Sequence, residues 1–96
     1  MKKLEAYKAI IEKCVNISTW YKDISYSLNV GNGNISETEI IKLNFYYDSV
    51  SPVLEIEKDI SEAECSGELE NMVIDIESQI TDMINEIYPI EWQDVV

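Results

Sequence analysis

The chain has 96 residues, 46% of them apolar and 27% charged, which fits one globular domain and excludes a disordered segment. Its net charge of −12 comes from 19 acids against 7 lysines, with no arginine and no histidine. That balance disfavours nucleic acid as a direct partner, because phosphate needs clustered cations, and it removes the commonest general base and metal ligand.

Leu4, Tyr7, Ile11, Cys14 and Tyr21 recur at helical spacing, and Ile10, Ile17 and Ile24 widen the same face. They predict a helix from about Lys3 to Asp23, in which Asn16-Ile17-Ser18-Thr19 marks a kink or an early end. The period then drops to two. Tyr26, Leu28 and Val30 alternate with Ser27 and Asn29 before a turn at Gly31-Asn32-Gly33-Asn34. Thr38 to Tyr47 reads as a second strand, with Ile41, Leu43, Phe45 and Tyr47 on one face. A helix competes over 36–47, since Ser36-Glu37-Thr38-Glu39 has capping-box form; the Asn44-Phe45-Tyr46-Tyr47 run favours the strand. After a turn at Asp48-Ser49-Val50-Ser51-Pro52, a third strand runs from Val53 to Lys58 with Leu54 and Ile56 on one side.

Ser61-Glu62-Ala63-Glu64 is a capping-box pattern that opens a long C-terminal helix. Leu69, Val73, Ile76, Ile80, Met83 and Ile87 then keep a 4-3-4-3-4 rhythm, and Pro89 stops the helix near Tyr88. Gly67 costs about 1 kcal/mol inside a helix, so the regular part begins just after it. Burying each large aliphatic of the seam contributes roughly 1.5–3 kcal/mol, which outweighs that cost. Ile90 to Val96, with Trp92, is expected to be a docked or loose extension. The expected fold class is α+β, a two-layer α-β-β-β-α arrangement over residues 1–96 as a single domain. An antiparallel three-stranded meander is packed by an N-terminal and a long C-terminal helix.

No stretch approaches the roughly 18 apolar residues of a membrane span. Glu5, Lys8, Glu12 and Lys13 interrupt the apolar run that a signal peptide would need. Cys14 and Cys65 lie far apart without a CxxC, and read as reduced, semi-buried thiols of a cytoplasmic protein. The chain has no GxSxG, HExxH, phosphate-cradling glycine loop or EF-hand spacing. Glu55 and Glu57 share one side of a strand, and solvated edge charges explain them more simply than a catalytic pair. The expectation is a non-enzymatic protein with no cofactor and no metal.

From Met1 to Asp48 six lysines balance six acids, whereas from Ser49 onward thirteen acids face Lys58 alone. The whole net charge therefore sits in the second half. On the C-terminal helix Glu64, Glu68, Asp75, Asp82 and Glu86, spaced 4, 7, 7 and 4, fall close to one stripe. Four residues of helix span about 6 Å and seven about 10 Å, comparable to the separation of neighbouring phosphates on a strand. A helix that needed only solubility would gain a few tenths of a kcal/mol from each i,i+4 Glu–Lys pair. This one has none.

These features resemble, as a functional class, the DNA-mimic inhibitors of phages and mobile elements: anti-restriction, anti-CRISPR and glycosylase-inhibitor proteins. Fifteen isoleucines and no arginine suit the AT-rich coding of such a source. The expected partner is a basic protein such as a nuclease or CRISPR effector, met by Glu64, Glu68, Asp75, Asp82 and Glu86. An immunity protein or antitoxin against a basic nuclease follows from the same charge. A different class, a structural homo-oligomer, follows from the breadth of the apolar helix face, whose surplus at Met72, Ile74 and Ile84 suits a homodimer or a partner groove.

Overall fold

Ala6, Ile10, Cys14 and Ile17, spaced 4, 4 and 3, form the buried stripe of α1 (Lys3–Trp20) in the computed structural model, which describes residues 1–32 and 38–89. α1 ends at Trp20 rather than at Asp23. Tyr21 is already extended, and its N–H closes the last turn on Ile17 O at 2.9 Å. Ile24, grouped with the helix by spacing alone, instead opens β1 (Ile24–Asn32) and is buried there.

β2 (Glu39–Tyr47) and β3 (Pro52–Asp59) complete an antiparallel sheet in the order β1-β2-β3. Leu28 faces Leu43 and Leu43 faces Ile56, so one register carries the apolar residues of all three strands to the same face. Ile41, Leu43 and Phe45 are fully buried on that face, while Lys42 points the other way into solvent. Glu39–Tyr47 is a strand, as the Asn44–Tyr47 run favours. Ser36 and Glu37, Gly33 and Asn34 of the first turn, and the extension with Trp92 lie outside the described residues. Tyr47 stands at the rim of the same face, opposite the buried Ile24 and 37% exposed, and its ring meets Tyr88 edge-on at 6.0 Å.

After the sheet come α2 (Ile60–Ser66) and α3 (Leu69–Ile87): the long C-terminal helix begins just after Gly67, as expected, and the segment opened before it is a separate short helix. Gly67 sits at φ 73, a left-handed conformation that costs a residue with a Cβ energy and ends the helix. Glu68 N–H then returns to Ala63 O at 2.8 Å, which closes α2. The capping residue also differs from expectation. Asp59 Oδ1, not Ser61, accepts from Glu62 N–H at 3.0 Å, two residues earlier than the capping-box pattern placed it. Ser61 Oγ instead accepts from Glu39 N–H at 2.9 Å and ties α2 to the start of β2.

α1 lies over β1, α3 over β3, and the two helices touch side by side. The rhythm on α3 holds: Leu69, Val73, Ile76, Ile80 and Met83 are buried, and Ile87 packs at the margin of the same core. Tyr88 caps α3 and stacks on Tyr21 at 4.8 Å, so the C-terminal end is pinned next to the α1–β1 turn. Among the described residues, no helix is long and apolar enough to cross a membrane.

Candidate acidic interface

Gly67 divides the expected acidic stripe. Glu64 lies on α2, Glu68 at the junction before α3, and only Asp75, Asp82 and Glu86 share a row of one helix. A continuous helix from Glu64 to Glu86 is therefore not the frame that carries these carboxylates. On α3 itself, seven and four residues still separate Asp75, Asp82 and Glu86 by about 10 and 6 Å along the axis.

Glu64 lies toward Lys3 and Tyr7 of α1, while the other four lie along the β3 side of the molecule, where two shallow grooves open. One, of about 310 Å³, is bordered by Lys58, Asp59, Glu62 and Glu68 above Met72. The other, of about 170 Å³, is bordered by Asp82 and Glu86 beside Val53, Leu54 and Met83. Between them Lys58 Nζ reaches Asp75 Oδ2 at 2.8 Å, and Gln79 donates to the same oxygen at 3.1 Å. The Lys58 hydrogen bond holds the Asp75 carboxyl below the ordinary aspartate range. Glu68 Oε2 accepts from the Asn71 side-chain amide at 2.6 Å.

Asp59 and Glu62 also border the larger groove; Glu62 was expected only as part of the capping-box pattern, and Asp59 was not expected at the site. The signal that could have found Asp59 is its place one residue before Ile60, the standard position of a capping carboxylate. Glu86 adds a second observation. It stands in the last turn of α3, which contains no base, where the negative end of the helix dipole disfavours an acid.

Met72 and Ile84, expected as surplus for a partner, are instead buried in the chain's own core at 8% and 7% exposure. The reason is geometric: α3 packs against α1 as well as against β3, which needs a wider apolar face than one sheet contact. Only Ile74, 56% exposed, is left outside.

A second polar cluster, unsuspected from the sequence, joins α1 to β2. Tyr7 OH donates to Glu39 Oε2 at 2.7 Å, and Lys3 Nζ donates to Oε1 at 2.9 Å. Burial, with the hydrogen bond to Glu39, pushes the Tyr7 phenol up to about 12, and the two donors hold Glu39 below its usual range. The carboxylate is bonded at both oxygens, so this is a structural tie.

Cys14 is buried, with its thiol pushed up to about 11 by desolvation, and Cys65 is exposed on α2; neither forms a disulfide. Glu55 and Glu57 are exposed on the open face of the sheet, paired across strands with Asn44 and Lys42. Comparison with known proteins finds no family model, no curated protein and no solved structure that matches this chain.

Proposed function

We propose that the chain is a non-catalytic inhibitor that acts in the cytoplasm by occupying the cationic channel of a nucleic-acid-handling protein. The acidic strip of α2, α3 and β3 stands in for the phosphates of a strand, in the manner of the anti-restriction and anti-CRISPR DNA mimics. The observation that carries this reading is the pairing of Lys58 with Asp75: between Ser49 and Pro89 there are eleven acids and this one base, already committed within the chain. Asp59, Glu62, Glu68, Asp82 and Glu86 are then left without a cation in hydrogen-bonding contact among the described residues. Glu86 supports it further, because an acid against the helix dipole gains nothing for the fold.

A surface of this kind associates fast and weakens with salt, since it attracts its target before contact. The test is capture from a host lysate with elution along a salt gradient, followed by association kinetics with the purified target at several ionic strengths. The rate should fall at least tenfold from low to high salt, and duplex or single-stranded nucleic acid should compete. A rate unchanged across the salt range would sink the reading.

A further inference from the structure

The edge of the sheet away from the acidic strip carries no charge. β1 has nine residues (Ile24–Asn32) without Lys, Asp, Glu or Pro, and it pairs on one side only, with β2. The other edge is guarded. β3 begins at Pro52, carries Glu55, Glu57, Lys58 and Asp59, and meets β2 through an irregularity at Phe45/Tyr46. Charges, prolines and bulges are the devices that keep an edge strand from pairing with another chain. β1 has none of them.

An apolar row lies over the same edge. Lys13 Nζ donates to Thr81 Oγ1 at 3.2 Å, which marks the flank of α1 that faces α3. Ile11 is two residues away, about 200° round the helix, and so lies on the opposite flank, toward the free side of β1. Leu4 and Val15, seven residues before it and four after it, continue the row, in which the exposed Lys8 also stands; the three apolar residues are 64%, 44% and 44% exposed. Beneath them Leu28 is only half-buried and Val30 is 50% exposed, both on the helix-bearing face of β1. An uncovered strand edge with an uncovered helix flank above it has the same two layers as the interior of the fold.

Charge decides what can meet this surface. A basic partner, the class suited to the acidic strip, finds no counter-charge along β1. A second copy does fit, because the half of the chain from Met1 to Asp48 sums to zero while the remaining half carries the entire −12. Two chains of that charge meet at least cost along their neutral flanks, with the acidic strips at opposite ends. We propose that two copies of this chain pair antiparallel through β1 into one six-stranded sheet, with Leu4, Ile11 and Val15 of the two α1 helices packed across a two-fold axis. Such an axis perpendicular to the sheet keeps both helical layers on one side, and each residue at the junction meets its own counterpart region.

Light scattering and sedimentation equilibrium across a wide concentration range test this without reference to any inhibited target. The wild-type chain should show the mass of two chains. Val30→Lys and Ile11→Lys, both at exposed positions, should each give a monomer with unchanged far-UV circular dichroism. Ile74→Lys adds the same charge on α3 and should remain dimeric. A wild-type monomer at every concentration, a dimer that survives both β1-side substitutions, or dissociation by Ile74→Lys would overturn the proposal. None of these outcomes bears on whether the acidic strip binds a basic target.

Discussion

Lys58, the only base after Asp48, places its Nζ 2.8 Å from Asp75 Oδ2 and so joins β3 to the middle of the acidic row on α3. The pair is half in solvent, at 35% and 51% side-chain exposure, and such pairs are worth about 0–1 kcal/mol. Lys58→Met should therefore shift the urea midpoint little. It should raise the association rate with a basic target several-fold at low salt, because it frees Asp75 and removes the one cation from the strip. Stopped-flow kinetics at two ionic strengths check this, and a slower association would contradict the role given to the strip. Asp75 is held below its ordinary range, so its small contribution to stability is present above the ordinary aspartate value and fades as pH falls through the lowered one. The substitution should remove that part of the acid limb.

The Tyr7–Glu39 bond predicts an alkaline limb. Tyr7 titrates at about 12 when folded and near 10 when unfolded, so its contribution is complete below pH 10 and is lost as pH rises toward 12. Lys3, also raised by Glu39, loses its contribution over the overlapping range. Tyr7→Phe should cost about 1–2 kcal/mol at neutral pH, since the acceptor is a charged carboxylate. It should also leave a shallower decline between pH 10 and 12 than the wild type shows. Urea unfolding at a series of pH values measures both effects, and an unchanged alkaline slope would show that the phenol titrates alike in both states.

Gly67→Ala should destabilise by about 1 kcal/mol for a purely conformational reason. No atom lies within 4 Å of where the new Cβ would sit, so no clash contributes. The cost arises from φ 73, which Asn tolerates better than Ala. Gly67→Asn should accordingly fall between the two in denaturant midpoint. An Ala variant as stable as the wild type would mean that α2 and α3 can merge into one helix.

What the sequence made legible follows a physical line between local pattern and long-range register. The 4-3-4-3-4 seam of Leu69 to Ile87 and the alternation of Ile41, Leu43 and Phe45 report burial directly, because each element exposes one face to one core. The cost of Gly67 inside a helix marks where the regular part of α3 begins, but does not show that its left-handed φ closes a separate helix before it. That closure lies in the return of Glu68 N–H to Ala63 O, which composition does not encode. Asp59 and Ser61 exchanged roles because both can cap, and the pull of Ser61 toward Glu39 depends on where β2 starts. The Lys3–Tyr7–Glu39 tie spans more than thirty residues, and the Lys58–Asp75 bridge depends on how α3 is rotated over β3. Neither leaves a periodic trace. The acidic residues were visible as a group for the opposite reason: net charge needs no geometry.

Two isoleucines of α3 separate core from surplus. Ile80 is fully buried in the core, and Ile80→Ala should cost about 2–5 kcal/mol through lost transfer energy and the cavity left behind. Ile74, 56% exposed, should change stability by no more than about 0.5 kcal/mol when replaced by Ala. Paired urea curves provide the comparison. A cost above 1 kcal/mol at Ile74 that grew with protein concentration would place an interface on α3, against the β1 pairing inferred above.

Reversing the charge of Glu86 separates binding from folding, because the two should move in opposite directions. Glu86 occupies the last turn of α3, where the unsatisfied carbonyls favour a cation and where no base stands. Glu86→Lys should therefore stabilise the chain by about 0.3–1 kcal/mol in low salt, an advantage that salt screens away. The same change should weaken association with a basic target by at least tenfold when combined with Asp82→Lys, which borders the same groove and is nearly neutral for the fold. An acid kept where the helix dipole opposes it marks a position at which the requirements of a partner override those of stability. If the double variant were more stable and bound its target as well as the wild type, the strip would serve solubility alone.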